Sequence, residues 1–427
     1  MRPIFATLVL ALAGLAMPAH SQNPLPRPPA VSQATAATRA LNTETAAMTG
    51  SVVSEAGFQA WLADFRPRGR AAGIRDRTMD AALAGIHYDP VIIRLDSNQS
   101  EFSKQMWEYL DGAVSASRIQ NGQAALVTYN DALARIERKY GVDKEVVVAI
   151  WGLESSYGAN RGNSDVIQSL ATLAYHGRRQ AMFEEQLIAA LKIVQAGDVA
   201  PRGMRGSWAG AMGHTQFMPT SYLAHAVDFA GDGKRDIWSN NPTDALASTA
   251  AYLKDAGWKK DKPWGIEVRL PRGFNYAMAG HGSERSVSDW NRLGVRDMAG
   301  QKVPNVGKAA ILLPAGARGP AFMMFGNFEA IRAYNASDAY AIAVGHLSDR
   351  LKGQPGFVAG WPRGDRALAS TEKMELQKRL TAMGFNTQGT DGKIGPKTVD
   401  AIRQYQVAAG MVPDGYASEA LLIALRN

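Results

Sequence analysis

The 427-residue chain contains no cysteine. That excludes disulfides, a zinc–thiolate site, a thiol nucleophile and a lipidated N-terminal cysteine. Histidine is sparse, with seven in all, and His176, His214, His225, His281 and His346 show no close metal-ligand spacing. A metallohydrolase is therefore not expected. There is no dense Lys/Arg run and no zinc-finger or RNP-type pattern, so nucleic acid is not an expected partner. The G-x-S-x-G elbow, the Walker loop and the dinucleotide fingerprint are also missing. No run of residues is long and apolar enough to span a bilayer.

What is present is a chain able to build a core. Hydrophobic residues make up 46% and charged residues 20%, with a formal charge of +8. The length suits one large domain or two unequal ones. A modest basic excess fits an anionic polymer or surface, and a wall polymer bearing peptide carboxylates would serve. Residues 1–21 carry Arg2, an apolar run from Ile4 to Leu15, and small residues around Ala19, His20 and Ser21. This is the pattern of a cleaved signal peptide, because about a dozen apolar residues are too few for a membrane anchor. Export to the periplasm without a lipid anchor is the expectation.

Residues 22–54 are rich in Pro, Ala, Thr and Ser without apolar periodicity, and read as a flexible tether. Residues 55–351 are mainly helical in pattern. Apolar residues recur at helical spacing over 101–110, 124–140, 144–153, 181–196 and 245–253. Between Trp264 and Ala317, short apolar runs broken by Gly and Pro read as loops and small strands. A Gly/Pro linker, residues 352–364, precedes a tail at 365–427. There Thr371 is the expected cap of a first helix with Gly384 as its stop. Pro396 opens a second helix, and Ser418 caps a short third one.

The sharpest chemical signal is the run from Val146 to Gly158. Val146, Val147, Val148, Ile150, Trp151 and Leu153 leave no polar face, so the helix is expected to be buried on nearly all sides. One carboxylate, Glu154, then falls in its last turn. Burial and the negative end of the helix dipole both raise its pKa, as a general acid near neutral pH requires. A solvated Glu at a fraying helix end is the competing reading. Two further clusters follow. Gly206 to Tyr222 sets Gly206, Gly210 and Gly213 among amide and hydroxyl groups such as Ser207 and Gln216, which suits a loop that lets a polymer approach closely, and an ordinary glycine-rich loop would look the same. Phe328 to Tyr340 brings Tyr334, Asn335 and Tyr340, which also suit a helix start with its cap.

Together these segments resemble the membrane-bound lytic transglycosylase B family of peptidoglycan lyases. The motifs W-G-x-E-S-x-Y-G, G-A-M-G-x-x-Q-F-M-P-T-S-Y, D-F-x-G-D-G and R-Y-N occur in that family's order. The tail resembles the small three-helix peptidoglycan-binding module often attached to such enzymes. The resemblance implies a mainly α fold: a lysozyme-like helical catalytic domain with small strand and loop insertions, plus the three-helix tail. It places the catalytic residue at Glu154 and substrate contacts at Ser207, Gln216, Tyr252, Tyr334, Asn335 and Tyr340, with Tyr109 on a less distinctive motif. It also implies peptidoglycan glycan strands as substrate, and the cell-wall synthesis or division machinery as an unidentified protein partner.

Most glycosidases use two carboxylates, and only Glu154 stands out here. Asp165 and Glu184 lie nearby on segments that read as solvated. The family resolves this with substrate-assisted chemistry, in which the sugar's own C6 hydroxyl closes a 1,6-anhydro ring without water. A hydrolytic muramidase and a non-catalytic wall-binding protein are the rival readings. A buried acid gives a pure binder no advantage. No cofactor is needed for this chemistry. Residues 228–236 resemble the start of a calcium loop, with Asp228, Asp232 and Asp236 at positions one, five and nine and Gly233 at six. Ala230 and Ser239 stand where ligands belong, and the family's closing Asp would be Asp244. A structural calcium ion is one expectation and a metal-free Asp-Gly turn network the other.

Overall fold

The computed structural model describes residues 53–97 and 104–427. The expected signal peptide and almost all of the expected tether lie outside these residues. Among the described residues there are 17 α-helices and seven short strands. No described helix is long and apolar enough to cross a membrane.

The large core gathers apolar side chains from Phe58 to Leu351. At its centre lies the helix Lys144–Ser155, of which Val146 to Leu153 and Ser155 are buried. It packs against the helices Asp338–Leu351, Ala116–Thr128, Thr243–Asp255 and Asn130–Tyr140. This helix buries every side because helices surround it. The periodic stretch 124–140 belongs to two helices instead of one, Ala116–Thr128 and Asn130–Tyr140, which break at Tyr129. The Tyr129 ring packs edge-on against Trp151, 5.4 Å away. Both helices face one core, so the apolar spacing runs on through the break. The helix expected over 101–110 covers Met106–Ala113; residues 101–103 lie outside the described set.

The segment read as loops and small strands, together with the strand Ala321–Met324 just beyond it, forms a single antiparallel sheet of five strands. Its spatial order is Arg285–Ser286, Lys308–Leu312, Ala321–Met324, Gly265–Arg269 and Arg296–Asp297. Ile311 stands opposite Met323, flanked by the pairs Ala310–Met324 and Leu312–Phe322. Side chains alternate between the two faces of a strand. Accordingly Ala310, Phe322 and Met324 join the helical core, while Ile311, Ala321 and Met323 join a second core with Val287 and Trp290. Both faces are therefore apolar. That is why the strands show no polar–apolar alternation in the sequence.

The tail folds as three helices, Ser370–Ala382, Pro396–Ala408 and Glu419–Arg426, around Leu376, Leu380, Ile402, Leu421 and Leu422. Pro396 opens the second helix, and the Ser418 hydroxyl accepts from Leu421 N at 3.1 Å. The first helix begins at Ser370, one residue before the expected cap Thr371, and the Glu372 carboxylate accepts from Ala369 N at 2.8 Å. Residues 352–364 do not hang free. Glu267 accepts from Val358 N and Ala359 N at 2.8 and 2.7 Å. Phe357 stacks on His346 with 3.8 Å between centroids, and Arg363 meets Asp111 at 2.7 and 2.9 Å. The tail itself touches the body: Asp414 accepts from Ala317 N at 2.8 Å, and the Tyr416 hydroxyl donates to Gln105 at 3.1 Å.

Candidate active site

Glu154 lies in the last turn of its helix and is partly exposed, while its neighbours Leu153 and Ser155 are buried. The helix stops sharply after it. Ser156, Tyr157 and Gly158 all adopt positive φ, at 50°, 60° and 85°. Left-handed backbone at two successive non-glycine residues is uncommon and must be held in place by its surroundings. The holders are visible. The Ser155 hydroxyl donates to the His214 carbonyl and accepts from Gly158 N at 2.9 Å. The Tyr157 hydroxyl donates to Arg118 O at 2.7 Å, and Arg118 in turn donates to Gly152 O. A Cβ at Gly158 would lie 2.6 Å from the His214 ring, so only glycine fits there.

His214 is the centre of this clamp. Trp151 Nε1 donates to its Nδ1 at 3.1 Å, which leaves the ring hydrogen on Nε2, 2.7 Å from Ser239 O. Burial holds the ring below its ordinary pKa, so it stays neutral. The neighbouring Thr215 carbonyl accepts the Tyr334 hydroxyl, and Gln216, at φ 52°, donates to Gly213 O and Arg161 O at 2.8 and 3.0 Å. The glycine-rich segment thus fastens the end of the Glu154 helix to its neighbours. Sequence reasoning weighed His214 only as a metal ligand. Its clamp role has no local signal beyond a polar residue that follows Gly213 and precedes Thr215.

The carboxyl of Glu154 accepts from the Tyr340 hydroxyl at 2.7 Å. Burial pushes its pKa up to about 8, and the Tyr340 hydrogen bond pulls part of the way back. The phenols around it are driven upward too. Tyr334 and Tyr340 rise chiefly through burial and then through the Glu154 charge, and Tyr109 rises for the same two reasons. They remain neutral donors at any physiological pH. Tyr252 packs at a tilt against Tyr334, with 5.0 Å between centroids, and its hydroxyl donates to Ala333 O at 2.6 Å.

The structure therefore brings Tyr109, Tyr334 and Tyr340 around Glu154, with Tyr252 behind Tyr334. Ser207, Tyr109 and Tyr252 are partly exposed. Gln216, Tyr334, Asn335 and Tyr340 are buried, at 8% exposure or less. The Ser207 hydroxyl accepts from Ala211 N at 3.0 Å, and the Asn335 side chain accepts from Ser337 N at 3.1 Å. Neither alternative carboxylate belongs to the site. Asp165 caps the helix Val166–His176 and pairs with Arg202, and Glu184 pairs with Arg68.

In the acidic loop, carboxylate oxygens of Asp228, Asp232 and Asp244 all lie within 4.8 Å of one another. Asp236, expected with them, is not in this group. Its carboxylate folds back on its own turn and accepts from Trp238 N and Ser239 N at 2.8 and 3.0 Å. Asp244 is buried and its pKa is raised, chiefly by burial and with Asp228 adding to the rise. Backbone N–H groups of Phe229, Ala230 and Asp236 only partly offset this. Three hard oxygen donors this close together suit a hard cation such as calcium.

An acid of raised pKa thus ends a buried helix among neutral tyrosines in a helical body. Residues 57–349 match the family described as the transglycosylase SLT domain, and the chain belongs to that family. Residues 371–425 match the peptidoglycan binding domain family. The chain is 34% identical over 245 residues to membrane-bound lytic murein transglycosylase B of Escherichia coli (strain K12). That match covers 56% of this chain and 65% of the relative, just under two thirds of its length. Among solved structures, SltB3 from Pseudomonas aeruginosa in complex with NAG-anhNAM-pentapeptide is 48% identical. It aligns with a TM-score of 0.85 over 87% of this chain and 99% of that one. The Escherichia coli lytic transglycosylase Slt35 in complex with calcium is 29% identical, with a TM-score of 0.59 over 71% and 95% of the two chains.

Proposed function

We propose that this chain is a lytic transglycosylase that cuts the β-1,4 bond between N-acetylmuramic acid and N-acetylglucosamine in peptidoglycan. The observation that carries the reading is the Glu154 carboxyl in the last turn of a buried helix, its pKa raised by desolvation, with the Tyr340 hydroxyl on it and no second carboxylate beside it among the described residues. The Glu154 carboxyl protonates the glycosidic oxygen, and the C1–O bond breaks. The N-acetyl oxygen of the muramic sugar supports the cationic C1. The Glu154 carboxylate then takes the proton of the C6 hydroxyl, whose oxygen bonds to C1 and displaces the N-acetyl group. The products are a free N-acetylglucosamine hydroxyl and a 1,6-anhydromuramic end, with no water consumed and Glu154 again protonated.

Tyr340 orients the carboxyl and lowers its pKa, so that it can both give and accept a proton. Ser207, Tyr109 and Tyr252 supply hydrogen-bonding and stacking surface for the sugars, and Gln216, Tyr334 and Asn335 hold that surface in place. Asp228, Asp232 and Asp244 would hold a calcium ion, which would stiffen the loop that ends at Ser239 beside His214. The reading divides the chain into a catalytic domain at 55–351, a linker at 352–364 and a wall-binding domain at 365–427, exported to the periplasm by residues 1–21. The test is Glu154→Gln assayed on purified peptidoglycan. Soluble anhydro-ended fragments should vanish while the variant melts like the wild type. Unimpaired release would end the assignment of Glu154.

A further inference from the structure

Arginines on much of the body are tied to carboxylates, as Arg68 is to Glu184, Arg202 to Asp165 and Arg235 to Asp198. The helix Asn130–Tyr140 is different. Its Arg135, Arg138 and Lys139 stand at i, i+3 and i+4, which puts them on one face, where like charges repel. None of the three has a carboxylate within ion-pair distance among the described residues, and the helix's own Glu137 turns instead to Lys260 at 3.7 Å. Arg138 and Lys139 suit the negative end of the helix dipole, but Arg135 lies a turn earlier.

What these cations face is aromatic. Arg135 and Lys139 each lie 5.1 Å from the Phe229 ring, and Lys139 lies 5.4 Å from Tyr140. Lys254, on the neighbouring helix Thr243–Asp255, lies 6.0 Å from Tyr140. The two rings are 6.3 Å apart, and both are partly exposed. Arg135, Arg138, Lys139 and Phe229 line a surface recess of about 460 Å³. Asp228, next to Phe229, accepts from Gly231 N, Asp232 N and Gly233 N at 2.6, 3.2 and 2.8 Å, so its charge is met within its own turn. Cationic heads around half-buried rings fit the boundary between phosphate and hydrocarbon better than a wholly hydrated polymer. The rings can enter the headgroup layer while Lys and Arg reach the phosphates. Glu154 lies at the other end of its helix from this patch, about 15 Å along the axis, so a surface held here need not cover it.

We propose that the patch of Arg135, Arg138, Lys139 and Lys254 around Phe229 and Tyr140 seats the chain on an anionic phospholipid surface. The chain has no cysteine to carry a lipid, so the hold is electrostatic and reversible. It does not depend on which bond Glu154 cuts. The chain from Gln22 onward, so that the apolar run at 4–15 cannot itself enter lipid, is sedimented with two kinds of vesicle. One is phosphatidylcholine and phosphatidylglycerol in equal parts, the other phosphatidylcholine alone. Binding should be strong on the charged vesicles, weak on the neutral ones, and lost as salt rises. Arg135→Gln, Arg138→Gln and Lys139→Gln together should weaken it about a hundredfold, at about fivefold per cation, with the melting temperature unchanged. Arg269→Gln, Arg272→Gln and Lys302→Gln together remove the same charge from exposed positions around the sheet and should leave binding as it was. Arg138→Glu alone should weaken binding about twentyfold while Arg138→Lys does not, which decides the matter should the triple variant melt early. Equal losses from the two triple variants would mean that net charge alone is read, and equal binding to both vesicles that phosphate is not; either overturns the proposal. So does a wild type that ignores charged vesicles, including one whose binding to insoluble sacculi is what the three cations support.

Discussion

Between pH 4.5 and about 8 the folded chain keeps a proton on Glu154 that an unfolded chain has released. The folded state binds more protons there, so this group's contribution to stability declines as pH rises through that window and is flat above it. Glu154→Gln has no such titration. It should melt no lower than the wild type at pH 8, with turnover reduced by about 10² to 10⁴. A variant that melts well below the wild type would show that the carboxyl is structural. Tyr340→Phe removes the hydrogen bond that favours the carboxylate, so the alkaline limb of kcat/KM should move to higher pH. A limb that stays put or moves to lower pH would remove Tyr340 from the carboxyl's control. Glu154 was legible in the sequence because it is a lone charge in an apolar run. Its partner Tyr340 is 186 residues away, and only the family's motif order pointed to it. Asp236 looked like a ligand by position, but a short Asp side chain readily caps its own turn.

Helices with strong apolar periodicity were legible because one face, or every face, must be buried. The five-stranded sheet was legible only as short strands, because its two apolar faces erase alternation and its partners lie far apart in sequence. The clamp that ends the Glu154 helix is likewise a product of tertiary structure. Gly158→Ala should be costly, since both its φ of 85° and the His214 ring oppose a side chain. Gly73 has a similar φ of 87° with open space around it, so Gly73→Ala isolates the backbone strain. Thermal melts and kcat should show a larger loss at Gly158, on the order of 1–3 kcal/mol in stability. Equal losses at the two positions would mean that His214 yields easily and clamps nothing. For the acidic loop, calcium should raise the melting temperature of the wild type and leave that of Asp244→Asn unmoved. A wild type indifferent to calcium would leave the loop as a metal-free turn network.

At the scale of the whole molecule, a linker rich in Gly and Pro gave no sign of how firmly it is held. Phe357, Trp361 and Arg363 each find a partner on the body, and through Asp414 the tail meets the turn at Ala317 that joins two strands of the sheet. Such contacts join residues far apart in sequence and have no periodic signature. Removing residues 365–427 should weaken binding to insoluble sacculi, measured by sedimentation. A truncated chain that binds sacculi as well as the whole one would show that the body alone does the anchoring. The central claim is that Glu154 serves both proton transfers and no water enters. It is tested most directly by digesting peptidoglycan in water enriched in heavy oxygen and weighing the fragments. The account expects 1,6-anhydromuramic ends, one water lighter than reducing ends and free of label; labelled reducing ends would contradict it.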